Sequence, residues 1–106
     1  MNENKQIALI TGASSGIGSE IAKQLAKKNI HTIITARSSS RLIKTEKSII
    51  DNGGTCTVVE LDMKDLYGLD NLGIEIFKRW GKLDILIANA ATVSYTHLTL
   101  PTILRV

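Results

Sequence analysis

The sequence contains few cysteine, proline and aromatic residues, and these shortages restrict the classes of protein it can belong to. Its 106 residues include one cysteine and one proline, and 4% of them are aromatic. Cys56 cannot form an internal disulfide, which excludes a disulfide-stabilised secreted domain and fits a reducing compartment. We expect its thiol to be buried and unreactive, because it lies in an apolar, strand-like run.

Long apolar segments are also missing. No run approaches the roughly 20 residues that cross a bilayer, and the polar start MNENKQ has no apolar signal segment. With 43% hydrophobic and 22% charged residues, the composition is typical of one small globular domain. We therefore expect a cytoplasmic protein that does not bind membranes.

The net charge of +3 does not indicate a nucleic-acid partner. Nucleic-acid sites combine clustered basic residues with stacking aromatic side chains. Here the lysines are spread over predicted helices without aromatic residues between them, in the set Lys23, Lys27, Lys28, Lys44 and Lys47. Solvated helix faces explain this pattern better, and we expect no binding of nucleic acid.

Strand-like and helix-like segments alternate along the chain. Apolar, β-branched runs predict strands over residues 5–11, 31–36, 55–61 and 83–88, and helical spacing predicts helices from Gly16, after serines 38–40 and over about 65–80. This alternation is typical of a parallel α/β sheet. Right-handed crossovers predict the strand order 3-2-1-4, with two helices on one face and the third on the other. The predicted fold is a Rossmann-type doubly wound sheet truncated after its fourth strand.

The first two helices each carry an apolar stripe that is predicted to face the sheet. The stripe of the first helix consists of Ile17, Ile21 and Leu25 with Ala22 and Ala26, and that of the second consists of Leu42, Ile43, Ile49 and Ile50. The serines at 38–40 are predicted to cap the second helix, because a serine oxygen accepts hydrogen bonds from the first N–H groups of a helix.

The segment TGASSGIG lies where the first strand gives way to the first helix. A pyrophosphate needs a tight turn, a backbone that it can approach closely, and free N–H groups at a helix N-terminus. Gly12 suits the turn, Gly16 removes a side chain from the path of the phosphates, and Gly18 allows close packing of the helix on the sheet. Ser14 and Ser15 add hydroxyl donors. This strand–turn–helix context favours dinucleotide binding over a plain turn, and a P-loop is excluded because no Lys-Ser/Thr follows the last glycine.

The same segment resembles the Thr-Gly-x-x-x-Gly-x-Gly cofactor motif of the short-chain dehydrogenases/reductases. The resemblance extends over residues 5–91, with further matches in the order that the family has. It implies that Ile17 lies at the phosphates beside the glycines and serines. It also implies that Asp62 and Met63, directly after the third strand, contact the adenine.

The end of the fourth strand resembles the family's Asn-Asn-Ala-Gly motif. The resemblance implies that Asn89 and Ala90 line the ribose side of the cofactor. Ala88 and Ala91 depart from the motif, standing where the family has its first Asn and its Gly.

Arg37 bears on the choice of cofactor. In NAD-binding members of this fold an acidic residue at the end of the second strand binds the ribose hydroxyls, but here Ala36 stands there, followed by Arg37 and Ser38. A guanidinium can hold a 2′-phosphate with two parallel hydrogen bonds. We therefore expect Arg37 and Ser38 to bind the 2′-phosphate of NADP(H), with NAD(H) as the alternative.

The catalytic residues of the family are missing from the chain. The family uses a Tyr-x-x-x-Lys pair, since a phenol with an ordinary pKa near 10 must exchange a proton near neutrality. Tyr67 is followed four residues later by Asn71, and Tyr95 by Thr99. The resemblance implies a homo-oligomeric parent enzyme that transfers hydride between NADP(H) and a small carbonyl or alcohol, of which this chain is an inactive fragment. A non-catalytic dinucleotide sensor and an artefactual fragment without a function are the alternatives.

The last segment of the chain does not resemble the family. VSYTHLTLPT, residues 93–102, matches in one reading frame the translation of a transposase adapter used in preparing sequencing libraries. We therefore expect residues 1–91 to be a partial NAD(P)-binding domain. We expect residues 92–106 to be adapter read-through rather than a genuine β-rich tail.

Overall fold

In the computed structural model, which describes residues 5–14, 16–62, 64–88 and 103–105, strands and helices alternate along the chain. Their bounds in order are β1 Ile7–Thr11, α1 Gly16–Lys27, β2 His31–Ala36, a 3-10 helix Ser39–Leu42, α2 Ile43–Asp51, β3 Cys56–Glu60, α3 Leu66–Trp80, β4 Ile85–Ala88 and β5 Ile103–Arg105. All the predicted strands and helices are present, with slightly different ends.

The strands form one parallel sheet in the order β3-β2-β1-β4-β5. Leu9 at the centre pairs with Ile33 on one side and Leu86 on the other. The predicted order 3-2-1-4 of a Rossmann-type sheet is therefore confirmed. A fifth strand, β5, was not predicted; it pairs with β4 from Leu86↔Ile103 to Ala88↔Arg105. The edge of β4 is thus covered over these three residue pairs.

Alternate residues of the central strands enter two separate cores, because successive side chains of a strand point to opposite faces. One core joins Ile7, Leu9, Ile33 and Leu86 to α3 through Leu69, Leu72 and Ile76. The other joins Ala8, Ile10, Ile34 and Ile87 to α1 and α2 through Ala22, Ala26, Leu42 and Ile49. The predicted placement of two helices on one face and the third on the other is correct.

The predicted contact faces of α1 and α2 are partly wrong. Ile17, Ile43 and Ile50 are 60%, 57% and 56% exposed. The buried residues of α1 are small, namely Gly18, Ser19, Ala22 and Ala26, so the prediction is correct for Ala22 and Ala26. Small residues let the helix lie close to its neighbours, so they form the centre of the contact and the larger stripe is moved to its border.

The serine caps predicted for α2 are also absent. Ser38 occupies the N-cap position of the 3-10 helix without a side-chain cap bond, and its Oγ lies 2.8 Å from Ser40 Oγ. The 3-10 helix runs directly into α2, whose N-cap residue Leu42 makes no side-chain cap bond. In α3, by contrast, Asp65 Oδ1 accepts a hydrogen bond of 3.0 Å from Gly68 N.

Cys56 is half-buried rather than buried. Burial, and secondarily the charge of Glu46, raises the pKa of its thiol. A raised pKa reduces the thiolate fraction that reacts.

None of the helices in the described ranges combines the length and apolar character that crossing a bilayer demands.

Candidate dinucleotide-binding site

The glycine-rich turn between β1 and α1 has backbone angles that favour glycine. Gly12 has φ 65° and Gly16 has φ 61°, in the left-handed region that side-chain-bearing residues rarely adopt. A Cβ placed on Gly16 would meet no other heavy atom within 4 Å. The first turn of α1, with exposed Gly16 and Ile17, therefore opens onto free space. This is the arrangement in which helical N–H groups can receive an anion.

The turn is held in place by hydrogen bonds to buried residues that were not among the predicted site residues. Ala13 is fully buried, and its N–H donates to the Thr35 carbonyl oxygen over 3.0 Å. Its own carbonyl accepts a hydrogen bond of 3.1 Å from Thr45 Oγ1, and Thr45 Oγ1 lies 2.8 Å from Ser19 Oγ. No local pattern in the sequence indicated these contacts, because they join residues far apart in the chain.

Arg37 and Ser38 follow β2 at the same edge of the sheet, with Arg37 exposed and Ser38 half-buried. Next to them, Glu60 Oε1 accepts hydrogen bonds of 2.9 Å from both the backbone N and the Oγ of Ser39. These two bonds hold the pKa of the Glu60 carboxyl below its usual value. Glu60 was not among the predicted site residues, because it becomes a neighbour of this loop only through the pairing of Ala36 with Glu60 in the sheet.

A groove of about 570 Å³ runs between α3 and strands β2 and β3, and both Arg37 and Asp62 line it. Asp62 is exposed, and its Oδ1 accepts a hydrogen bond of 3.0 Å from Lys64 N. Gly68 also lines the groove, and a Cβ at that position would lie 2.8 Å from Leu61 Cδ1. Arg37, predicted to bind the 2′-phosphate, and Asp62, predicted to contact the adenine, thus line the same concave surface.

The predicted site residues lie at the carboxyl ends of β1, β2 and β3. Ligands of open α/β sheets bind beside these strand ends, where successive crossovers diverge to opposite faces. In this chain they diverge between β1 and β4. The turn after β1 and the first turn of α1 contain Gly12, Ser14, Gly16, Ile17 and Gly18. The loops after β2 and β3 contain Arg37, Ser38 and Asp62. Ser15, Met63, Asn89 and Ala90 lie outside the described residues.

The described residues fit a dinucleotide. The space above Gly16 admits a group that a side chain would exclude, and within the described part of the chain Arg37 forms no ion pair and remains available to an anion. The Thr35 hydroxyl, fully buried on β2, has no hydrogen-bond partner there. In the same ranges no group of three His, Cys, Asp or Glu side chains is arranged to hold a metal ion.

Comparison with known proteins agrees with this geometry. Residues 6–103 match the family model described as short chain dehydrogenase. The fatty acyl-CoA reductase of Acinetobacter baylyi is 37% identical over 89 residues, which cover 84% of this chain and 30% of that protein. The chain belongs to the short-chain dehydrogenase family.

Solved structures of the family superpose well on the chain. A metagenomic short-chain oxidoreductase in complex with NADP matches with a TM-score of 0.80 and 28% identity, over 86% of this chain and 41% of that one. An alcohol dehydrogenase from the archaeon Thermococcus sibiricus, complexed with 5-hydroxy-NADP, matches with a TM-score of 0.74 and 28% identity, over 88% of this chain and 43% of that one. The chain spans about a third of the length of the curated relatives it matches.

Proposed function

We propose that the full-length protein transfers hydride between NADP(H) and a small carbonyl or alcohol, and that this chain supplies the dinucleotide-binding part. The observation that carries the proposal is the turn between β1 and α1. There, Gly12 and Gly16 adopt left-handed angles below an open helix N-terminus. The family membership of the chain, and the NADP bound by a similar oxidoreductase, support the same function.

Within this proposal the chain's residues bind and orient the cofactor. The turn and the first N–H groups of α1 receive the pyrophosphate, with Ser14, Ser15 and Ile17 beside it. Asp62 and Met63 contact the adenine, and Asn89 and Ala90 line the ribose side. The bound cofactor would supply the hydride.

Arg37 is the proposed determinant of NADP(H) preference, with Ser38 beside it. Replacing Arg37 by Leu should weaken NADPH binding by about ten- to a hundredfold, the range of a hydrogen bond to a charged group, and leave NADH binding nearly unchanged. Arg41→Leu is the matched control, because Arg41 is also exposed but lies one turn further on, in the 3-10 helix. Calorimetric titration of both cofactors provides the measurement, and an equal loss for NADPH and NADH refutes the assignment.

Gly16→Val tests the position of the pyrophosphate. The branched side chain would occupy the space above the turn, so cofactor binding should be lost. Gly53→Val is the control for backbone strain alone: Gly53 has φ 82° and open space around its Cβ position, but lies in the turn after α2. Retained NADPH affinity in Gly16→Val would mean that the phosphates bind elsewhere.

We propose that the chain by itself reduces no carbonyl, since the sequence has no Tyr-x-x-x-Lys pair to exchange a proton. The test is NADPH oxidation in the presence of a panel of ketones and aldehydes, and reproducible turnover refutes the proposal. In the full-length protein a Tyr-x-x-x-Lys pair would support an enzyme. Its absence would favour a dinucleotide sensor.

We also propose that residues 92–106 are not native, because residues 93–102 match a translated sequencing adapter. A native tail would be consistent with the pairing of β5 with β4 and with the extension of the family match to residue 103. The source DNA decides between these origins. Reads that continue past the codon for Ala91 into family-like sequence support the proposal, and adapter-free reads that encode the tail refute it.

A further inference from the structure

Both peptide groups of Ala13, inside the glycine-rich turn, are held by hydrogen bonds to distant parts of the chain. Its N–H donates to Thr35 O of β2 over 3.0 Å. Its carbonyl accepts from Thr45 Oγ1 of α2 over 3.1 Å. Ala13 and Thr45 are 0% and 1% exposed, so no water competes for these bonds. The turn is therefore tied to two elements besides those it connects.

The hydroxyl groups of Ser19 and Thr45 form a directed relay. A threonine hydroxyl has one proton to donate, and that of Thr45 is directed at the Ala13 carbonyl. The contact of 2.8 Å between Ser19 Oγ and Thr45 Oγ1 must then have Ser19 as its donor. Donation to Thr45 polarises its hydroxyl and strengthens the bond that this hydroxyl makes to Ala13.

The anchored carbonyl also sets the direction of the next N–H group. In a trans peptide the C=O and the N–H point in opposite directions within one plane, and the described chain has no cis peptide bonds. The Ala13 carbonyl points into the buried contact between α1 and α2, where Thr45 lies. The N–H of Ser14 therefore points the opposite way, out of that contact.

We propose that Thr45 and Ser19 are positioning residues, which aim the Ser14 N–H at the pyrophosphate of the bound dinucleotide by fixing the Ala13 carbonyl. The inference rests on the proposed function for its ligand. Neither residue is among the glycines of the turn, and Thr45 is 32 residues from Ala13 in the sequence. Loss of the relay would free the Ala13–Ser14 peptide to rotate, and the cofactor would have to reorder it on binding.

The test uses Thr45→Val and Ser19→Ala in the full chain, with Thr45→Ser as the variant that keeps the hydroxyl. Thr32→Val is the matched control: Thr32 is also fully buried, but its hydroxyl reaches Thr55 O, near the other end of the sheet. Thr45→Val should weaken NADPH binding by about three- to tenfold, the range for one hydrogen bond. Thr45→Ser and Thr32→Val should bind like the wild type. Ser19→Ala, the variant with the smaller change in packing, should show a smaller loss in the same direction.

Two further measurements separate positioning from general damage. Adenosine 2′-monophosphate has no pyrophosphate, so its binding should be unchanged in Thr45→Val, and an equal loss for this probe and NADPH would overturn the proposal. The ¹³C chemical shift of the Ala13 carbonyl, measured without ligand, should change in Thr45→Val and Ser19→Ala but not in Thr32→Val, because only the first two disturb the hydrogen bond that this carbonyl accepts. An unchanged carbonyl shift in both variants would refute the relay. Failure of the wild-type chain to bind NADPH would instead refute the proposed function.

Discussion

Gly68 lies in the first turn of α3, where a helical glycine would ordinarily be a weak point. Replacing glycine by alanine inside a helix stabilises it by about 0.8–1 kcal/mol. Here, however, the added Cβ would lie 2.7 Å from Asp65 Oδ2 and 2.8 Å from Leu61 Cδ1. Real Cβ atoms do not approach other heavy atoms so closely, so at least one of these neighbours must move.

Each movement has a cost that can be compared with the gain. Displacing the Asp65 carboxylate breaks its N-cap bond to Gly68 N, which costs about 0.5–2 kcal/mol. Leu61 is only 7% exposed, and forcing a methyl group against a packed side chain costs about 1–3 kcal/mol. The two costs exceed the gain in helix propensity. We expect Gly68→Ala to lower the free energy of unfolding by about 1–3 kcal/mol.

Urea unfolding followed by far-UV circular dichroism, at low protein concentration, measures this effect. Combining Gly68→Ala with Asp65→Ala gives a double-mutant cycle. Without the Asp65 carboxylate, the added Cβ no longer meets Oδ2 and the N-cap bond is already lost. Gly68→Ala should therefore cost less in that background. Stabilisation by the ordinary propensity gain in the wild-type background would refute the reasoning.

The remaining predictions concern pH, a buried hydroxyl and an exposed aromatic ring. Burial and the charges of Lys5 and Arg79 lower the pKa of His31 below 6.5 in the folded chain. On acidification the unfolded chain therefore binds more protons than the folded chain. The contribution of His31 to the free energy of unfolding should be complete above pH about 6.5 and should fall as the pH drops toward the folded-state pKa. A urea midpoint that does not change with pH in this range refutes the prediction. Thr35→Val should stabilise the fold by about 1 kcal/mol, because it removes a buried hydroxyl that has no partner in the described ranges, and a lower thermal midpoint contradicts it. Phe77 is 41% exposed on α3, and Phe77→Lys should reduce self-association in size-exclusion chromatography; an unchanged elution profile contradicts it.

Matched variants keep these effects interpretable. His31→Asn should remove the contribution of the imidazole to the acid-induced loss and leave the remainder. Thr32→Val removes a buried hydroxyl that has a partner and should not stabilise the fold. Asn71→Lys adds the same charge to α3 at an exposed polar position, and should leave self-association unchanged.

Local patterns in the sequence were sufficient to predict the first four strands, the three α-helices and their order. A run such as Ile7–Thr11 is apolar at every position, and its buried strand is the structure that such a run favours. The glycines at positions 12 and 16 marked the turn, because their left-handed angles exclude most other residues. Right-handed crossovers then restricted the order of the first four strands.

Only the tertiary structure decided which side chains meet. Periodicity gives the apolar side of a helix but not its rotation against a neighbour, and in α1 the buried side includes Gly18 and Ser19 while Ile17 is exposed. The contact of Thr45 with Ala13, and the contact of Glu60 with Ser39, join residues far apart in the chain. Such contacts depend on strand register and helix position, which arise only when the whole sheet assembles, and no local pattern encodes them.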